Sequence, residues 1–142
     1  MKELKDVILF QIDQTSKVSK QYSQREFEKL NFGITVEQWI LLKIISESEQ
    51  LSQKELAVKS FRDPASITRT LDILEQKNFV IRESIPKNRR AYNISLSKEA
   101  TKFIKKNIAV IKKHREKSTK GFSLKELSLL SSMLKRIQKN MN

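Results

Sequence analysis

Helix-capping signals constrain this chain more than any other feature of its sequence. Three segments follow the pattern Ser/Thr-x-x-Glu/Gln. In this pattern the hydroxyl accepts a hydrogen bond from the first helical turn, and the longer side chain bonds back to the capping residue. These segments begin at Thr35, Ser52 and Ser123. Asp63, which precedes a proline, and Ser97 mark two further starts. With the spacing of apolar residues, these starts predict helices over about 2–31, 35–48, 52–60, 63–77, 97–119 and 123–140.

The segment between the fourth and fifth helices has a different pattern. Residues 79–82 and 91–96 are rich in β-branched and aromatic side chains, and the second run alternates in polarity. Residues 86–90 between them are polar and begin with a proline, which is typical of a turn. The sequence therefore predicts a mainly α fold with a small β-hairpin, in one domain over residues 1–142.

The residue types that most enzymes and metal sites need are scarce. The chain of 142 residues has no cysteine, one histidine and two isolated glycines. The lack of cysteine excludes disulfides and thiolate chemistry, and isolated glycines exclude the common phosphate-binding loops. His114 lies among lysines and an arginine, where repulsion disfavours a bound cation. We therefore expect no enzyme activity, no metal site and no cofactor.

The charge of the chain indicates a polyanionic partner. Its 29 basic residues outnumber 16 acidic ones, for a net charge of +13. The longest apolar runs have four residues, too short to cross a bilayer, and the first ten residues do not form a secretory signal. We expect a cytoplasmic protein that does not use a membrane as its partner.

Helices 52–60 and 63–77 are close enough in sequence to form a helix-turn-helix. On the second helix Ile67, Leu71 and Leu74 share one face, which predicts that this face packs on the core. The opposite side of such a helix enters the DNA major groove. The candidates for reading DNA near its start are Ala65, Ser66, Thr68 and Arg69. The alternative is the solvated face of an ordinary amphipathic helix.

The hairpin that follows carries cations at its tip. Lys87, Arg89 and Arg90 lie within four residues on the predicted turn. A basic ribbon of this kind can follow the DNA backbone and place an arginine in a narrow minor groove. A charged surface turn is the alternative, but a basic hairpin directly after a capped helix pair is a less common combination.

Together these segments resemble the winged-helix core of the MarR (multiple-antibiotic-resistance regulator) family. The resemblance is carried by TVEQW at 35–39, LSQKELA at 51–57, TRTLDILE at 68–75, VIR at 80–82 and PKNRRA at 86–91. It implies a winged helix-turn-helix lobe over 35–96, flanked by helical dimerisation regions at 1–33 and 98–142. It also implies a homodimeric DNA-binding regulator, often released from DNA by a small molecule.

The resemblance adds individual residues to the expected DNA surface. On the helix over 63–77, which is the recognition helix of this family, Thr70 is added to the candidates. Ser52 and Gln53 are expected at the DNA backbone. Asn88 lies in the wing, which is the predicted hairpin of residues 79–96, at a position where the family usually has Asp. An amide holds a guanidinium less firmly than a carboxylate. Asn78 follows the recognition helix where the family usually has Gly, and asparagine tolerates the left-handed conformation needed there.

The terminal helices predict a homodimer. Residues of the last helix repeat at alternating intervals of three and four, as in a coiled-coil seam: Leu127, Leu130, Leu134, Ile137 and Met141. The first helix contributes Leu4, Ile8 and Ile12. Packing within one subunit is the alternative reading of this pattern.

An effector site is the least defined expectation. The family's pockets lie where the dimerisation helices meet the DNA-binding lobe, which brings in Tyr22, Phe27, Phe32 and Trp39. Aromatic residues at such spacing are more often plain core. The resemblance thus implies a small organic effector.

The sequence thus predicts a sequence-specific regulator of double-stranded DNA, acting as a repressor at a pseudo-palindromic operator. The main alternative is an architectural basic protein that binds DNA or RNA without reading sequence. A second alternative is a membrane-surface or partner-binding protein that uses the lysine-rich fifth helix. Residues 98–120 carry +7 of the net charge, whereas residues 61–78 carry none.

Overall fold

The computed structural model of the chain describes residues 3–142, apart from the side chains of residues 88–90. The helices are α1 (Ile8–Lys29), α2 (Val36–Ser46), α3 (Gln53–Ser60), α4 (Pro64–Gln76), α5 (Lys98–Glu116) and α6 (Leu124–Met141). The strands are β1 (Leu51–Ser52), β2 (Val80–Ile85) and β3 (Asn88–Leu96). Short 3₁₀ turns lie at Leu4–Asp6 and Lys117–Thr119. The prediction of a mainly α fold with a small β element is confirmed.

The capping signals work as their sequence pattern predicts. The Thr35 hydroxyl accepts from the backbone N–H of Gln38, and the Gln38 side chain accepts from the N–H of Thr35, both at 3.1 Å. Ser123 and Glu126 repeat this reciprocal pair at the start of α6. Asp63 accepts from the N–H of Ser66 at 2.9 Å ahead of Pro64. The starts of α2, α4 and α6 are therefore fixed by local hydrogen bonds.

Two predicted helices differ from the structure by more than two residues at one end. The first was expected from residue 2, but the chain is extended at Val7 (φ −79°, ψ 121°) and α1 begins only at Ile8. The N-cap side chain of Val7 makes no capping bond, because it has no polar atom. The fifth was expected to reach residue 119, but α5 ends at Glu116 and the chain tightens into the second 3₁₀ turn.

The β element is a three-stranded antiparallel sheet in the order β1-β3-β2, so the prediction of a two-stranded hairpin was incomplete. Leu51 pairs with Ile94, and both side chains are buried. The hairpin turn is also tighter than expected: Pro86 and Lys87 form it, with Lys87 at φ +71°, and β3 already begins at Asn88. Residues 88–90 therefore lie in a strand and not in the turn.

The core lies between the helices and the sheet in the middle of the chain. The largest fully buried side chains are Leu41, Leu42, Leu51, Leu56, Ile67, Leu71 and Leu74. Asn78 has φ +60°, which confirms the left-handed conformation expected after α4. By their internal contacts, residues up to 107 form one compact unit and residues 108–142 form a second. Over the described range, each helix is too short or too polar to cross a membrane.

Candidate nucleic-acid interface

Helix α4 presents a polar face because its apolar stripe is buried. Ile67, Leu71 and Leu74 have no exposed surface, which confirms the predicted core face. Ala65, Thr68 and Arg69 on the other side are exposed. Apolar burial on one side and the Asp63 cap at the start thus fix which side chains of α4 face outward.

Arg69 is the one basic side chain of α4. It is exposed, and within the part of the chain that the structure describes its guanidinium makes no hydrogen bond or ion pair. A free guanidinium offers two parallel N–H donors, which match the O6 and N7 acceptors of guanine in the major groove. Ala65, one turn earlier, is small and leaves room for a close approach.

Neighbouring α4 hydroxyls already have partners within the protein. The Thr68 hydroxyl donates to the carbonyl of Pro64 at 3.0 Å and accepts from the Gln53 side chain at 2.8 Å. Thr70 is 8% exposed, and its hydroxyl donates to the carbonyl of Ser66 at 3.0 Å. The structure therefore places Thr70 inside the lobe, away from the face formed by Ala65, Thr68 and Arg69.

The start of α3 lies beside the start of α4 and the strand β3. Ser52 caps α3 by accepting from the N–H of Glu55 at 3.0 Å, and Gln53 reaches across to Thr68. A groove at this place is lined by Ser52, Gln53, Lys54, Ala57, Pro64, Ala91 and Tyr92. The structure thus brings the two residues expected at the DNA backbone to within reach of both α4 and the wing strand.

The wing consists of β2, β3 and the turn between them. Lys87 is exposed at its tip. Asn88, Arg89 and Arg90 lie in the first residues of β3, but their side chains fall outside the described residues. The expectation that they contact DNA stays a prediction.

Arg82 joins the wing to the recognition helix, a role that the sequence analysis missed. Its guanidinium pairs with Asp72 and Glu75 of α4, both at 2.5 Å, and lies 5.9 Å from the centre of the Tyr92 ring. Burial lowers the pKa of Arg82, but the hydrogen bonds to Glu75 and Asp72 outweigh it and hold the pKa above its ordinary value. The base of β2 is therefore tied to α4 by a permanently charged side chain.

Two other cations hold the ends of α4. Near its first turns, Arg62 contacts Ser66, Thr70 and Glu37. At its last turn, the Lys77 ammonium donates to the carbonyl of Gly33 and lies 3.4 Å from the Gln38 side chain. Neither contact has a local sequence signal, because Glu37 and Gly33 lie 25 and 44 positions away from their partners.

Three of the four aromatic residues expected near an effector pocket, Phe27, Phe32 and Trp39, belong to one cluster of rings that includes Phe103. Phe27 and Trp39 are buried, at 4% and 7% exposed. The Phe32 ring lies 5.0 Å from Phe27 and 5.9 Å from Phe103, and the Trp39 ring lies 6.3 Å from Phe103. Tyr22 is only partly buried. The rings of Phe27, Phe32 and Trp39 therefore fill the core of the first unit.

Helix α6 has no buried residue in the isolated chain. Leu130 and Met141 of the predicted seam are 44% and 62% exposed, and Leu127, Leu134 and Ile137 are partly exposed. In the other terminal region, Leu4 and Ile8 are 63% and 54% exposed and Ile12 is partly so. An amphipathic helix with an open apolar face is typical of an association surface.

Among residues 3–87 and 91–142, no three Asp, Glu or His side chains lie close enough to bind a metal ion.

Comparison with known proteins identifies what this arrangement resembles. Residues 34–92 match the model of the MarR family. A MarR protein from Peptoclostridium difficile has the same fold: the TM-score is 0.85 at 19% identity, over 99% of this chain and 91% of that one. A MarR mutant from Escherichia coli in complex with operator DNA aligns with a TM-score of 0.82 at 21% identity, over 96% and 99%. The S. aureus MepR–DNA complex aligns with a TM-score of 0.82 at 20% identity, over 94% of this chain and 98% of that one.

Proposed function

Residues 34–92 of this chain belong to the MarR family, and on that premise we propose that the protein is a sequence-specific regulator of transcription that binds double-stranded DNA. MarR family proteins are transcription regulators and not enzymes, which confirms the expectation that the chain is not an enzyme. In the finer proposal it acts as a repressor, and as a homodimer at a pseudo-palindromic operator.

The observation that carries the proposal is the α4 surface. Its apolar side is fully buried, and its opposite side exposes Arg69 beside the small Ala65. This is the combination that a helix needs in order to rest on its own domain and reach base edges at the same time. The operator-bound fold of the Escherichia coli relative and the DNA-bound fold of MepR support the same use of the fold.

The distribution of charge favours base reading over purely electrostatic binding. Residues 61–78 carry no net charge, and residues 98–120 carry +7. A protein that held DNA by charge alone would gain most from a cationic α4. Instead, Arg82 of β2 pairs with Asp72 and Glu75 of α4. Arg69 stays unpaired among the described residues and can contact a base.

A homodimer completes the proposal. One recognition helix covers few base pairs, whereas two related by a two-fold axis reach half-sites about one helical turn apart. The open apolar face of α6, with Leu130 and Met141 exposed, supports association through this helix. Light scattering at micromolar concentration is expected to give twice the chain mass of 16.6 kDa, and a mass of one chain would overturn the dimer.

We also propose that a small organic effector releases the protein from DNA. Because Phe27 packs on Phe32, and Phe32 and Trp39 both pack on Phe103, a ligand would need another opening. A groove between α1 and the start of α2 offers one, lined by Lys20, Gln21, Gln24, Thr35, Val36 and Glu37.

Selection of bound DNA from a random pool at fixed salt tests the function. We expect enrichment of one pseudo-palindromic sequence whose half-sites lie about one helical turn apart. A pool that stays random after repeated rounds would support the architectural alternative, in which the +13 charge binds any nucleic acid.

A further inference from the structure

We propose that Arg62 is a positioning residue of the recognition helix, which orients the Ser66 hydroxyl toward DNA and ties the first turns of α4 to α2. The proposal rests on the proposed DNA-binding function and adds to it a residue that does not itself touch a base. Its evidence is a set of contacts that converge on one guanidinium.

Arg62 lies in the connection between α3 and α4. The chain turns sharply there because Phe61 adopts a left-handed conformation (φ +55°), and the N–H of Arg62 donates to the carbonyl of Ala57 at 3.2 Å. This turn leaves the Arg62 side chain only 19% exposed. A guanidinium stays charged at all ordinary pH values, so burial at this level requires partners.

Those partners are two hydroxyls of α4 and one carboxylate of α2. The Nη2 group of Arg62 donates to Ser66 Oγ and, at 2.9 Å, to Thr70 Oγ1. It also lies 3.6 Å from Glu37 Oε2, at the first turn of α2. The contacts reach four and eight positions along α4, so a single side chain spans its first two turns.

The consequence for Ser66 follows from the capacity of a hydroxyl. A serine hydroxyl has one proton to donate and two lone pairs to accept with. When Arg62 occupies a lone pair, the proton of Ser66 is directed away from the guanidinium. Ser66 is partly exposed on α4, so it is presented as a donor to an acceptor outside, such as a phosphate oxygen, guanine N7 or O6, or thymine O4.

The Thr70 hydroxyl, in contrast, donates and accepts within the protein. It donates to the carbonyl of Ser66 and accepts from Arg62, and the side chain is buried. Both hydroxyls therefore face the same cation, but only Ser66 keeps a donor that DNA can reach. Arg62 in this way separates a reading residue from a supporting residue on the same helix.

The contact between Arg62 and Glu37 connects α4 to a helix outside the helix-turn-helix. Glu37, which faces Arg62, also lies 3.7 Å from the Lys20 ammonium of α1. The charges alternate from α1 to α2 to the α3–α4 turn, all within the first compact unit. Loss of Arg62 removes the connection between this series and Ser66.

The test compares Arg62→Ala, Arg62→Lys, Ser66→Ala and the double variant Arg62→Ala/Ser66→Ala with the wild type. Arg25→Ala is the control, because Arg25 is an exposed arginine on α1. Fluorescence anisotropy gives Kd for the selected operator, for its single-base variants and for random DNA over a salt series. Thermal denaturation of each variant checks that it is folded.

We expect Arg62→Ala to reduce the preference for operator over random DNA about tenfold, the value of one charge-assisted hydrogen-bond network, with the salt slope unchanged. Ser66→Ala should lower discrimination at the same base pair or phosphate, and the double variant should lose no more than the worse single variant. Arg62→Lys keeps the charge on a shorter side chain that lacks Nη2, the atom that makes all three contacts, and should recover only part of the preference.

Four results would overturn the inference. Equal weakening on all DNA with a salt slope lower by about one would make Arg62 a phosphate contact. Multiplying losses in the double variant would make Arg62 and Ser66 independent. An unchanged preference in Arg62→Ala would remove its role while leaving the regulator itself intact. A wild type without sequence preference would overturn both the proposed function and this inference.

Discussion

Arg82 provides the sharpest test of how the wing is held. Its side chain is 18% exposed and makes two contacts of 2.5 Å, with Asp72 and Glu75 of α4. The two carboxylates are about half exposed, at 51% and 47%. The variant Arg82→Gln removes the charge and the fork but keeps a polar side chain, and Arg25→Gln on α1 is the matched exposed control.

The magnitude follows from the exposure of the partners. A hydrogen bond to a charged group contributes roughly 1.5–3 kcal/mol when buried and well under 1 kcal/mol when exposed, so two half-exposed contacts give about 1–2 kcal/mol. For a chain of this length that free energy corresponds to a fall in Tm of about 3–8 °C. The Tyr92 ring, 5.9 Å from the guanidinium, adds a smaller contribution.

Circular dichroism during thermal denaturation measures the effect, and a double-mutant cycle with Asp72→Asn isolates the ion pair. We expect Arg82→Gln to lower the Tm and the double variant to lose less than the two single losses added together. A Tm within one degree of the wild type, or a loss equal to that of Arg25→Gln, would refute the view that this clamp holds the wing.

The remaining predictions concern DNA reading and assembly. Arg69→Ala should reduce discrimination at one base pair of each half-site by roughly 1–3 kcal/mol, measured with single-base operator variants, and uniform weakening on every sequence would argue against base reading. Arg90→Ala should weaken binding to all DNA and lower the salt slope by about one, and an unchanged slope would exclude a wing contact with DNA. Leu130→Asp should place a charge on the open face of α6 and shift the protein toward a single-chain mass in light scattering; Lys135→Ala, on the polar side of the same helix, is the control.

The parts of the fold that depend on local interactions could be predicted from the sequence. Capping pairs three residues apart and apolar spacing on one helix leave clear signals, and the caps at Thr35, Asp63 and Ser123 form as expected. Strand β1 could not be predicted because two residues are too short for an alternating pattern. It forms because Leu51 pairs with Ile94 of β3 across the sheet.

The candidate site was predictable in outline and not in its connections. The exposed face with Ala65 and Arg69 follows from the helical period. The burial of Thr70 does not, because it depends on Arg62, whose other partner Glu37 belongs to a different helix. The role of Arg82 could not be predicted for the same reason. In the sequence it is a single arginine in a predicted strand, and its ion pairs form only because β2 lies against α4.

The ratio of two dissociation constants tests the central claim most directly. Kd is measured for the selected operator and for random DNA of equal length, at one physiological salt concentration, with the wild-type protein. The account predicts that the operator binds about a thousandfold more tightly or better. A ratio within about tenfold would contradict sequence-specific recognition, since charge alone gives nearly equal affinity for both DNAs.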